Sequence, residues 1–135
     1  MTDTSTLSGP RAGVFALYKV LIALFALAVV VQIFLAGLGV FGDEVAIASS
    51  DLEPHRTLGY LLTVPLALLL LVLAVIARPG RRIEPMTGAL VVFGLVLLQL
   101  GRSGADLPLL GGLHAVLAFV QLGLAGSLVK LALDR

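Results

Sequence analysis

The chain has no cysteine, no tryptophan and few charges, with Asp, Glu, Lys and Arg making up 13% of its 135 residues. Without cysteine there are no disulfides, thiolate metal sites, iron–sulfur clusters, cysteine nucleophiles or covalent C-x-x-C-H haem attachment. Without tryptophan, any aromatic belt at a membrane interface rests on six Phe and two Tyr. The formal net charge is +1 and there is no long basic face, which excludes a nucleic-acid partner. What fills the space is apolar: 59% of the residues, at a mean hydropathy of +1.12. Soluble chains carry roughly 25% charged residues, and a domain this small leaves much of its surface exposed. Lipid is therefore the expected solvent, and the length allows one domain.

Hydropathy divides the chain into a polar arm, residues 1–13, and a membrane domain, 14–133. Apolar runs at about 14–41, 54–78, 87–101 and 109–133 predict four transmembrane helices. The third run is short for a hydrocarbon core and would need an extra turn near Met86, a thinned bilayer or a snorkelling Arg102. Ala46-Ile47-Ala48 resembles a signal-peptide cleavage site, but the first run far exceeds a signal h-region, so an anchored helix is expected. Pro79-Gly80 and Pro85 predict a short, helix-free turn between the second and third helices, and short connections predict an all-α, antiparallel up-down-up-down four-helix bundle. Of the nine basic residues, seven (Arg11, Lys19, Arg78, Arg81, Arg82, Lys130, Arg135) lie in or beside the arm, the second loop and the tail. The positive-inside rule then places both termini in the cytoplasm, and the acidic loop with Asp43, Glu44, Asp51 and Glu53 on the other side.

The polar residues inside the spans form a faint repeat. Gln32 ends one helix and His55 opens the next; Gln99 ends one and His114 opens the next. Such duplication would set the second and fourth helices diagonally across the bundle. Lys19 reads as a snorkelling cation, Pro65 as a helix kink, and Gly123 with Ser127 as a small-xxx-small pair for close helix approach. Gln32 and Gln99 suit helix–helix hydrogen bonding.

The two histidines carry most of the functional information. His114, Ala118, Gln121 and Ala125 share one small, polar face of the fourth helix. Such a face turns toward protein or a cavity. Gly59 lies on the face of His55, leaving room for a flat group. Two imidazoles at similar depth on diagonal helices are the geometry of a haem held by two axial ligands. Arg56 and Arg102, the two basic residues on that side, suit its propionates. The same residues also suit a haem-free accessory subunit in which histidines and glutamines only pack helices. A third reading is a divalent-metal site of Asp51, Glu53 and His55. No phosphate loop, nucleophile–base arrangement or zinc signature is present.

The stretch from His55 to Ala132 resembles one four-helix half of a haem A synthase. The resemblance is carried by His55-Arg56-Thr57-Leu58-Gly59 opening a leucine-rich helix, by Leu97-Leu98-Gln99, and by Leu113-His114-Ala115-Val116-Leu117-Ala118. Ala36-Gly37-Leu38 resembles the end of that family's first helix less specifically. The resemblance implies noncovalent haem b, with His55 and His114 on the iron and Arg56, Arg102, Gly59, Ala118, Gln32, Gln99 and Gln121 around it. It implies electron transfer or haem handling, a membrane redox partner, and a homodimer that restores eight helices. The departures are the family's glutamate three residues before the first histidine, replaced by Leu52 here, the absent outer-loop cysteine pair and the absent second half. Hydroxylation of a haem methyl is therefore not expected, and no enzymatic activity is assigned.

Overall fold

The computed structural model describes residues 8–41, 52–104 and 106–135. They form four helices, each long and apolar enough to cross a membrane. The first, α1, runs Pro10–Phe41. Pro10 opens it at a position whose N–H would have no partner in any case. Its buried side chains are Phe15, Tyr18, Ile22, Phe25 and Val29, a three–four spacing that makes one seam along the helix. Gln32 is next in that register, so it points into the bundle rather than into lipid.

The second helix, α2, spans Glu53–Ala77. Its middle, Leu62–Leu66, is a π-helical turn around Pro65. Proline has no N–H and its ring crowds the carbonyl four residues back. Widening the turn relieves the clash, and Ala67 N–H closes the wide turn on the Leu62 carbonyl five residues back. The expected kink is thus a π-bulge. The helix ends with Arg78 in the left-handed region, at φ 50° and ψ 58°.

The third helix, α3, runs Ile83–Ser103 over 21 residues, starting four residues before the expected 87. Pro85 misleads as a breaker: it stands in the first turn, where its missing N–H costs nothing. At about 1.5 Å per residue the helix is about 31 Å long and spans a hydrocarbon core unaided. The fourth, α4, runs Pro108–Leu133 with proline again in the first turn. At the α3–α4 connection, a Cβ on Gly104 would stand 2.7 Å from Gly111 Cα, so two glycines permit the crossing.

Each helix packs on its chain neighbours, and α1 also closes against α4. The diagonal pairs are therefore α1 with α3 and α2 with α4. The α1–α3 diagonal is bridged at the end carrying both termini, where Tyr18 Oη lies 2.8 Å from Thr87 Oγ1 and both residues are fully buried. Thr87 donates to the Ile83 carbonyl at 2.7 Å, so Tyr18 donates to Thr87. Lys19 folds back over the Phe15 ring, its Nζ 5.0 Å from the centroid. The outward faces carry Leu24, Leu27, Phe34, Val92, Val116 and Phe119, all exposed. An apolar coat around a packed interior is what lipid requires. The chain is an all-α, multi-pass integral membrane protein.

Candidate functional site

The second diagonal is bridged at the opposite end of the bundle. His55 in the first turn of α2 and His114 in the second turn of α4 meet across it, with ring centroids 6.0 Å apart and ring planes at 79°. Each ring is fixed by a backbone carbonyl of the neighbouring helix. His55 Nδ1 lies 3.0 Å from the Gln32 carbonyl oxygen on α1. His114 Nδ1 lies 2.8 Å from the Leu97 carbonyl oxygen on α3. A carbonyl only accepts, so both Nδ1 atoms carry the proton. In a neutral ring with that tautomer, Nε2 is the atom that carries the lone pair.

Gln32 is tied to His55 a second time, its side-chain Nε2 donating to the His55 carbonyl at 2.6 Å. The other amide atom, Oε1, is buried without a hydrogen-bond partner. Gly59 makes this possible: a Cβ there would stand 2.6 Å from Gln32 Nε2. The space over Gly59 is therefore taken by the Gln32 amide, not kept for a flat ligand as the sequence suggested. On the other side, the His114 ring lies on Gly101, where a Cβ would stand 3.1 Å from Cε1.

The remaining expected site residues divide. Ala118 is half-buried one turn from His114, and Gln121 is buried one turn further along the same face. Gln121 belongs to a mid-bundle polar cluster: a Cβ on Gly94 would stand 3.8 Å from its Nε2 and 3.3 Å from Thr63 Cγ2. Gln99 is exposed and outside the site. The inward positions of α3 are Leu97 and Gly101, and position 99, two residues from each, faces away. Arg56 and Arg102 are both exposed at the histidine end, on the elements that carry His55 and Gly101. Of the divalent-metal set, Asp51 lies outside the described residues, and Glu53 Oε1 accepts from Thr57 at 3.4 Å. Among the described residues no three His, Cys, Asp or Glu side chains gather as a metal group.

Sequence reasoning missed Gly101, the Leu97 and Gln32 carbonyls, Thr63, and the Tyr18–Thr87 bridge. One signal was present: Leu90, Gly94, Leu97, Gly101 and Gly104 repeat at four–three spacing along α3, a seam with glycine where another group must approach. The backbone acceptors have no signature in side-chain identity.

No curated protein and no solved structure matches the chain. Residues 32–105 match a protein family described as one of unknown function, DUF6220. That stretch begins at Gln32, contains His55, Gly59 and Gly101, and ends before His114. Since the match covers more than half of the chain, the protein belongs to the DUF6220 family.

Proposed function

We propose that the protein binds one noncovalent haem b between His55 and His114 and serves electron transfer or haem handling within the membrane. The observation that carries this reading is the histidine pair, with both Nδ1–H groups anchored to carbonyls and the rings 6.0 Å apart. The pair would supply two imidazole Nε2 donors to a haem iron, each ring held by a backbone carbonyl through its Nδ1–H. The donor set fits. Near-perpendicular ring planes are no obstacle, because each ring takes its orientation from its own carbonyl. The likeness of 55–59, 97–99 and 113–118 to half of a haem A synthase points the same way.

When bound, haem supplies one-electron chemistry at a potential set by its axial ligands and surroundings. The chain's own groups do the rest. The Gln32 and Leu97 carbonyls hold the ring orientations and raise the basicity of Nε2, as outer partners of ligating histidines do. Gln32, bonded twice to His55, holds the opening turn of α2 against α1. The apolar bundle excludes water. Arg56 and Arg102 are the cations at the level of the pair and are assigned to the propionates. The positive-inside distribution supports an orientation with both termini in the cytoplasm and the histidine end on the opposite side. A homodimer would supply eight helices, with membrane lipids around it and a redox partner in the same bilayer.

The test is colour and its loss. The purified chain, titrated with haemin in detergent, should develop a low-spin Soret spectrum at one haem per chain. His114→Ala should abolish it, and His55→Ala should abolish it or leave a high-spin spectrum. A folded wild-type protein that takes up no haem sinks the reading and leaves the pair as helix glue in an accessory subunit.

A further inference from the structure

A different feature lies at the opposite end of the bundle, independent of the histidines. The loop from α2 to α3 exposes Arg78, Arg81 and Arg82 within five residues. The C-terminal Arg135 lies on the same loop: a Cβ at Gly80 would stand 2.8 Å from both of its terminal guanidinium nitrogens. Gly80 has φ +123°, so the backbone turns there, and the atoms nearest to its open side are those of the Arg135 guanidinium. Arg78 takes φ 50°, a conformation usually left to glycine. Four guanidinium groups thus belong to one tight turn.

None of the described Asp or Glu side chains forms an ion pair with them. The only ion pair among the described residues joins Lys130 to Asp134 at 2.8 Å. Glu84, half-buried in the first turn of α3, is not in it. Three like charges on five residues, with Arg135 brought beside them, repel one another unless an anion bridges them, and guanidinium forks match phosphate oxygens in pairs. Directly along the helices from the turn, Val75, Ile76 and Leu133 are exposed apolar side chains. A phosphate at the turn with hydrocarbon beside these residues describes one kind of molecule. We propose that the Arg78–Arg82 turn with Arg135 is a binding site for the headgroup phosphate of an anionic phospholipid in the adjacent leaflet.

The full-length chain in a neutral detergent, mixed with phosphatidylglycerol or phosphatidylcholine, gives the test by native mass spectrometry. Phosphatidylglycerol should be retained at least about tenfold better, the scale of one charge-assisted contact. The R81Q/R82Q double variant should lose that preference with its thermal stability unchanged, since both side chains are exposed. Arg135→Gln should weaken it more modestly, since it removes one of the four cations and leaves the turn itself unchanged. Lys130→Gln, which removes a cation already paired, should leave it intact. Equal retention of the two lipids, or a preference that survives R81Q/R82Q, overturns the proposal. Displacement by inorganic phosphate at the same concentration as phosphatidylglycerol overturns its assignment to a lipid.

Discussion

Adding one methyl group at each of two glycines should separate a rigid contact from a yielding one. At Gly101 the new Cβ stands 3.1 Å from His114 Cε1 and 3.2 Å from Nδ1. The imidazole cannot bend, so it must move as a unit and strain its 2.8 Å bond to the Leu97 carbonyl. Losing that part-buried bond costs at most about 1–3 kcal/mol, while alanine in a helix gains about 1 kcal/mol over glycine. Gly101→Ala should therefore destabilise the bundle by about 0–2 kcal/mol. At Gly59 the obstacle is the far end of the Gln32 side chain, 2.6 Å away, which can swing aside. That movement gives up the bond to the His55 carbonyl, about 1 kcal/mol, and also frees an Oε1 that had no partner. Gly59→Ala should be close to neutral. Reversible unfolding in mixed micelles measures both, and nitrogen NMR of the imidazoles reports whether Nδ1 of His114 keeps its proton. If haem binds, Gly101→Ala should weaken it about 10- to 100-fold, as disturbing an outer partner of a ligating histidine does. A larger loss of stability for Gly59→Ala than for Gly101→Ala, or an unchanged His114 signal in Gly101→Ala, would refute the reasoning.

Tyr18→Phe should cost about 1 kcal/mol by removing one buried hydrogen bond, because Thr87 keeps its own bond to Ile83; the same unfolding assay checks it. The chain has no cysteine, so a single cysteine at position 80 reports topology directly, and it should react with impermeant reagents only from the cytoplasmic side. Arg56→Ala and Arg102→Ala should each weaken haem binding by about 1.5–3 kcal/mol if they meet the propionates, read as a shift in the haemin titration midpoint. Mass measurement in nanodiscs should give a dimer.

The number of crossings and the bundle class follow from hydropathy alone, since every apolar residue must be offered to lipid or buried. The seam of α1 was not legible: that helix is apolar on nearly every side, and only packing shows that Phe15, Tyr18, Ile22, Phe25 and Val29 face inward. That the second and fourth helices face each other diagonally was already implied by the repeat of glutamine and histidine. Other features were not legible. Pro85 reads as a breaker in sequence but sits inside α3, because a helix's first turn leaves its N–H groups unbonded. Pro65 reads as a kink, and only the structure shows the widened π-helical turn around it. Gln99 looks equivalent to Gln32 by its place in the repeat. The α3 register turns it outward and gives its expected place to a glycine and a carbonyl. Gly59 looked like room for a ligand and is room for an amide. Periodicity states which face of a helix is polar, but which neighbour fills the space opposite a glycine depends on residues far along the chain. The histidine site depends on two carbonyls that every residue possesses, and only packing brings those of Gln32 and Leu97 within reach of a ring.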